Sequence, residues 1–496
     1  MKYNSTRGYD EELTAAEAII KGIASDGGLF VPEEIPRVGK DFIKELSPLS
    51  YTERAKKILA LFLDDYTGRE LEKCVNAAYG NDKFDHEAIA PVKEAGDIFV
   101  SELWHGPTSA FKDMALQLLP QLLTTAREKS GEEKTSLILV ATSGDTGKAA
   151  LEGFADVPGT KIMVFYPQDG TSLMQKKQMV TQEGGNVSVM AVKGNFDDAQ
   201  NGVKRIFGDR DFIYTLLKEN TKLSSANSIN WGRLAPQIVY YFSAYADMLA
   251  AGKIKLGDKI NFCVPTGNFG NILAGYYALC MGLPVHRLIC ASNANNVLTE
   301  FIKTGAYNKN RKFYKTLSPS MDILISSNLE RLLFHLTGNT VKVKGWMGEL
   351  QSMGHYAIGS EILGKLQSIF WGSFADDNGI RATIKKVYDN QNYVIDPHTA
   401  AAFSAADDYR METGDSRPMV VLSTASPYKF AGSVLNALGK DCAGKDEFAL
   451  LEELSTLSNT PIPAGLKKLA DAPTIHDKVC AKEEMIDLVA DFAAAK

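Results

Sequence analysis

The chain is poor in cysteine, with six in 496 residues. They are Cys74, Cys263, Cys280, Cys290, Cys442 and Cys480, and no two are spaced C-x-x-C. None has a histidine at zinc-site spacing. A disulfide scaffold and a structural metal are therefore both disfavoured. The expectation is reduced thiols in a cytoplasmic protein, several of them in the core. Positive charge is scarce as well. Lys and Arg total 54 against 60 Asp and Glu, a formal net charge of −6. That argues against a binder of nucleic-acid backbones, although a local basic pocket for a small anion stays open. Long apolar runs are missing. The start, MKYNSTRGYDEELTAAEAIIKG, has no signal-peptide core. No run approaches the roughly 18–20 apolar residues of a membrane span. Repeats and low-complexity tracts are absent too. What remains is 45% hydrophobic and 23% charged, an ordinary soluble composition. The length suggests about two to four domains.

Residues 1 to about 90 read as a small, mainly helical unit, with helices over Leu13–Ile23 and Tyr51–Tyr66 and a Gly/Pro loop over Asp26–Pro36. From residue 136 the pattern changes. Ser136–Ala141, Lys161–Tyr166 and Asn186–Val192 are short β-rich runs separated by helical stretches. That alternation predicts a parallel α/β sheet. A long apolar helix follows over Trp231–Ala251. Buried-type strands come next at Lys259–Pro265, Val285–Ser292 and Met419–Thr424. The last fifty residues read as helical, with a break at Pro461 and Pro463.

One stretch organises the rest: WHGPTSAFKDMALQLL, Trp104 to Leu119. Lys112 stands at the start of a helix. Thr108 or Ser109 is placed to cap it, and Phe111, Ala115, Leu118 and Leu122 recur at helical spacing. A lysine beside that apolar stripe is partly desolvated. Desolvation favours the neutral amine, and a neutral amine can form a Schiff base. An ordinary helix lysine facing water is the bland alternative.

Ligands of open parallel sheets gather beyond the C-terminal strand ends. Three loops there have unusual composition. ATSGDTGKAA (Ala141–Ala150) runs strand, glycine turn, helix, an anion site by its free N–H groups but too short for a Walker loop. VPTGNFGNILAG (Val264–Gly275) is a second such cradle. VVLSTASPYKFAG (Val420–Gly432) ends a strand at Ser423 and Thr424, whose hydroxyls can bond a heteroaromatic nitrogen without carrying charge. One desolvated amine, two anion cradles and a neutral hydroxyl together match what pyridoxal 5'-phosphate requires.

These residues also carry a family resemblance. HGPTSAFKD, ATSGDTG, GNFGNILAG and LSTASP resemble the motifs of the threonine synthases, in their longer microbial and fungal branch. DGGLFVP, NSINWGR, LSPSMDILISSNLERL and DPHTA do so as well, in order from about residue 5 to 430. The resemblance implies an α/β fold-type II enzyme, like the β subunit of tryptophan synthase. It has two parallel-type open sheets flanked by helices, plus a small mainly helical N-terminal domain over 1–90. Residues 91–130 and 235–496 would form the large cofactor domain, with 131–234 a smaller α/β domain nested within it. It further implies that Lys112 binds the cofactor covalently and acts as the catalytic base. Gly267, Asn268, Phe269, Gly270 and Asn271 would surround its phosphate, and Thr424 would face its ring nitrogen. Ser143, Gly144, Asp145 and Thr146 would contact the substrate amino acid. Asn230 and Arg233, with Lys176, Asn195 and Ser228, are the candidates for the substrate phosphate. Ser426 stands where the family motif has a histidine.

The implied reaction converts O-phospho-L-homoserine and water to L-threonine and phosphate. The implied setting is a cytoplasmic monomer or homodimer without nucleic-acid, membrane or metal partners. A related eliminase or synthase, such as a threonine or serine dehydratase, shares the lysine and the loops. A catalytically inactive phospho-amino-acid binder is the other alternative, and the presence of Lys112 counts against it.

Overall fold

The computed structural model describes residues 1–9, 11–80, 83–142, 144–168 and 171–495. Two open sheets carry the architecture. The larger runs, in spatial order, Phe370–Phe374, Val285–Ser292, Ile260–Pro265, Met419–Ser423, Ile98–Glu102 and Val92–Ala95. All its pairings are parallel except the last, a hairpin of Val92–Ala95 with Ile98–Glu102. The smaller is parallel throughout, in the order Val479–Cys480, Val187–Val192, Thr160–Pro167, Thr135–Ala141, Thr221–Ser224.

Both sheets are covered on two faces, which is why their strands read as continuous apolar runs. In Thr135–Ala141, Ile138 and Val140 join the main core, while Leu137 and Leu139 face a separate outer cluster with Met485 and Val489. In Met419–Ser423, Val420 and Leu422 point to the main core and Val421 to a third cluster built on the alanine-rich helix Pro397–Thr413. Successive side chains point to opposite faces, so one strand anchors two layers.

The N-terminal region is mainly helical, but its core is continuous with the large sheet's helices. Trp231, at the start of the helix Trp231–Ala250, packs against Tyr3, Phe62 and Tyr277 with ring centroids 5.3, 5.5 and 5.4 Å away. The expected helix Tyr51–Tyr66 stops at Leu59, and another opens over Gly68–Tyr79. Thr67 is the reason. Its side chain accepts from the Glu70 N–H, and Glu70 accepts from the Thr67 N–H at 2.7 Å, a reciprocal cap. Thr67→Ala is expected to destabilise the protein by about 1 kcal/mol, read as a lower urea midpoint at unchanged slope.

The C-terminal segment needs a correction. Residues 235–496 were expected in one unit with the large sheet. Val479–Cys480 instead pairs with Val187–Val192 at the edge of the smaller sheet, and Lys161 Nζ reaches the carbonyls of Phe492 and Ala493. Two residues are too short to read as a strand from sequence. Only the neighbouring edge makes them one.

Candidate active site

The strands Ile98–Glu102 and Met419–Ser423 leave the large sheet side by side, with Ser423 opposite Glu102. The two chains stay paired beyond it. Leu103 N–H donates to Ser423 O at 3.0 Å, and Phe111 N–H to Thr424 O at 2.8 Å. Ser426 N–H donates to Ser109 O at 3.1 Å, and Ala110 bridges Ala425. Lys112 follows that pairing directly, so its backbone is held beside Thr424 although 312 positions separate them. Lys112 sits in the turn before a one-turn helix, Asp113–Leu116; a second helix, Leu119–Ser130, opens with Pro120 in its first turn. Thr108 and Ser109 do not cap the first of these. Thr108 donates instead, from its N–H and its hydroxyl, to the two carboxylate oxygens of Asp113, both at 2.8 Å.

The Lys112 side chain is 11% exposed. Its Nζ lies 3.7 Å from Asp145 Oδ2 and 5.0 Å from the centre of the Phe111 ring. Asp145, at the start of the helix Asp145–Phe154, receives four groups. Lys429 Nζ is 2.7 Å and Gln175 Nε2 2.8 Å from Oδ1, and Ser320 Oγ is 3.0 Å from Oδ2, which also faces Lys112. Lys429 is fully buried and donates to Thr108 O at 3.0 Å.

Burial lowers the Lys112 ammonium to about 8; Asp145 pulls it up, while Lys429 and Arg233 push it further down. Burial alone would raise the Asp145 carboxyl, but Lys429 and Lys112 override it and hold the group well below the usual carboxylate range. Burial lowers the Arg233 guanidinium to about 10 and raises the Asp113 carboxyl to about 7. Lys112 and Lys429 thus flank one firmly ionised carboxylate, Arg233 adds its charge at Lys112, and the other acid acting on Lys112, Asp113, is raised to about 7.

The anion cradle follows the strand Ile260–Pro265. Phe269 turns through a left-handed φ of 63° to open the helix Gly270–Met281. Among the described residues, nothing accepts from the N–H groups of Gly267, Asn268, Phe269, Gly270 or Asn271. A row of free donors at a helix N-terminus suits a phosphate. Asn271 adds to it. Its Oδ1 accepts from Tyr240 at 2.6 Å and Tyr241 at 2.9 Å, while its Nδ2 is buried with no partner. Gly267 must be glycine, because a Cβ there would lie 2.9 Å from Ser320 O. The same Ser320 reaches Asp145, so the cradle and Lys112 line one cleft. The residues present therefore fit pyridoxal phosphate: a desolvated amine, free amides for the phosphate, and on the buried residue Thr424 a hydroxyl without a hydrogen bond among the described residues.

The remaining sequence expectations divide. Gly144 is where a side chain cannot go: its φ is +151° and a Cβ would meet Gln175 at 2.4 Å. Its N–H and that of Gly147 donate to Thr142 Oγ1, at 3.0 and 2.9 Å, and those of Asp145 and Thr146 have no acceptor among the described residues. Ser143 lies outside the described residues. Asp145 is at the site, but as the counter-ion of two lysines. Arg233 is buried with Nε unpaired, and Nη1 holds Ala226 O. Asn230 is already bonded within the fold: its Oδ1 caps the helix by accepting from Gly232 N–H at 2.8 Å, and its Nδ2 donates to Ile19 O at 3.0 Å. Asn195 likewise caps Phe196–Gly208, and Lys176 is exposed. Ser228 does reach the cradle's surroundings, accepting from Asn328 Nδ2 at 3.3 Å.

Sequence reasoning missed Lys429, Ser320, Gln175 and Asn328. Lys429 stands inside the SPYKF stretch, where a charge among apolar neighbours was the available signal. Asn328 closes the DILISSN motif. It donates to Asn268 O from both N–H (3.1 Å) and Nδ2 (3.0 Å), and Ser326 Oγ donates to Gly267 O at 2.8 Å. That motif shapes the cradle from outside.

Comparison with known proteins agrees with this geometry. The family model described as threonine synthase N terminus matches residues 2–79, that of pyridoxal-phosphate dependent enzymes 86–345, and that of the threonine synthase C-terminal region 399–487. Human threonine synthase-like 1 is 43% identical over 85% of this chain, which spans 58% of that longer protein. The threonine synthase of Saccharomyces cerevisiae is 37% identical over 96% of this chain and 97% of its own. The crystal structure of a PLP-bound threonine synthase from Brucella melitensis superimposes over 100% of both chains, at 37% identity and a TM-score of 0.88. The chain belongs to the threonine synthase family of pyridoxal-phosphate-dependent enzymes.

Proposed function

We propose that the protein converts O-phospho-L-homoserine and water to L-threonine and phosphate. The observation that carries this reading is the pairing of a nearly buried amine with more buried cations than buried anions. A cofactor phosphate and a substrate phosphate both need that imbalance. A dehydratase acting on serine or threonine needs it for only one. Bound pyridoxal phosphate supplies an electron sink for charge that develops on the substrate's carbons.

The chain's own groups do the rest. Lys112 would hold the cofactor and, when its amine is free, would take the Cα proton of the substrate. Its lowered proton affinity suits it to act near neutral pH. The amides of 267–271 and Asn271 Nδ2 would hold the cofactor phosphate. Thr424 would offer the ring nitrogen a neutral hydroxyl, which would moderate the sink and favour elimination and replacement. Arg233 stabilises the departing γ-phosphate with its free Nε–H. Gly144, Asp145 and Thr146 border the substrate's amino-acid end. The nested unit over 131–234 closes on the cleft against the larger unit. The setting is a cytoplasmic monomer or homodimer. Among the described residues, no helix is long and apolar enough to cross a membrane.

The test is a substrate panel with purified holoprotein. Phosphohomoserine should yield threonine and phosphate in equal amounts, with threonine, serine and O-acetylserine turned over at least about 100-fold more slowly. Phosphate release without threonine, or faster attack on serine, would replace this reading with a lyase or dehydratase.

A further inference from the structure

Two lysines share one carboxylate in the cleft, and Lys112 is the one read above as the cofactor's amine. Asp145 Oδ1 takes Lys429 at 2.7 Å, and Oδ2 lies 3.7 Å from Lys112. Lys429 is fully buried on the 3-10 turn Pro427–Phe430. Its other acceptor is the carbonyl of Thr108, in the same loop that delivers Lys112. We propose that Lys429 is a positioning residue for the reaction: the counter-ion of Asp145, seated so that its charge opposes protonation of the Lys112 amine whenever that amine is free. The proposal deepens the functional reading above and rests on Lys112 as the reactive amine.

Were Lys112 the only cation beside Asp145, ionising the pair would be strongly favourable and the amine would stay protonated. Lys429 holds the nearer oxygen, satisfies the carboxylate and adds repulsion. Lys112 can then lose its proton without leaving a buried charge alone, a loss that would otherwise be costly. The other charged groups facing Lys112 act on both sides. Arg233 adds repulsion from the helix Trp231–Ala250. Asp113, next in the chain, attracts, but burial raises its own carboxyl to about 7, so it supplies less than a full charge near neutrality. Lys429 also spans the two units. It belongs to the large sheet's side and Asp145 to the nested one, so the charge is in place only when the cleft has this geometry.

A merely structural role predicts something different. The Lys429–Thr108 bond could serve only to tether the loop, and any hydrogen-bond donor of similar reach would then do. Competitive labelling of Lys112 with acetic anhydride, mapped by mass spectrometry across pH on the full-length chain freed of cofactor, separates the two. This needs no substrate, so it can fail while the assigned reaction stands, and the reverse. Wild-type labelling should rise through a midpoint near 8. Lys429→Arg keeps the charge and should keep the midpoint. Lys429→Gln keeps a donor but loses the charge, and should move the midpoint up by a unit or more. At pH 8 that is roughly a five-fold fall in labelling rate. A wild-type midpoint in Lys429→Gln, or an equal shift in Lys429→Arg, overturns the proposal. Should Lys429→Gln fail to fold, Lys429→Met provides the same reading, with an upward shift supporting the role and no shift refuting it.

Discussion

Lys112→Ala is expected to lower threonine formation by at least about 10³-fold and to abolish covalent retention of the cofactor. The size follows from two functions lost at one atom, the bond to the aldehyde and the proton transfer at the substrate. The fold should survive. Lys112 is 11% exposed, and its one ion pair is the looser of the two on Asp145. Two measurements are needed. Turnover with phosphohomoserine reports the chemistry, and the Schiff-base absorbance band of the purified protein reports the covalent bond. Retention of that band in the variant would mean that another amine holds the cofactor, and Lys429 would be the first to examine.

Asp145→Ala is expected to destabilise the cofactor-free protein by about 3–5 kcal/mol at pH 7. Removing the carboxylate leaves Lys429 fully buried with one carbonyl for company, and Lys112 nearby without an anion. It also strips Gln175 and Ser320 of their shared acceptor. Lys112 holds its proton below about 8, so the two ammoniums repel most at and below neutrality, and the loss should shrink as pH rises through 8. Urea unfolding at pH 7 and pH 9 reads both effects. A loss under about 1 kcal/mol at pH 7 would show that water or a shifted side chain replaces the carboxylate without difficulty.

The parts of the fold that could be read from the chain are those with a strong local signal. Ser136–Ala141 and Met419–Thr424 were legible because strands buried on both faces are apolar without interruption, and the observed Thr135–Ala141 and Met419–Ser423 agree to within a residue at each end. Less legible was whatever depended on a distant neighbour. Asp26–Pro36, read as a loop from its glycines and prolines, instead carries the strand Phe30–Pro32, paired with Tyr3–Ser5. Tyr51–Tyr66 keeps an apolar period through a helix end, so the break at Leu59 was hidden, even though Thr67 and Glu70 spelled out the next cap. Val479–Cys480 is a strand only because Ala191 and Val192 offer it an edge.

At the site, Lys112, the Gly267–Asn271 cradle and Thr424 could be nominated from residue type and placement after strands, since amides at a helix start and a lysine beside an apolar stripe carry their chemistry in local sequence. The identities of the ion pairs could not. Asp145 read as a group for the substrate, Asn230 as a phosphate ligand and Lys429 as nothing in particular. The chain by itself determined which groups exist and which lie on strand ends. Tertiary structure alone decided which carboxylate each buried lysine meets and which asparagine has a free amide. Coulomb forces and hydrogen bonds act over a few ångströms of space, and the 284 positions between Asp145 and Lys429 hold no record of the 2.7 Å that joins them.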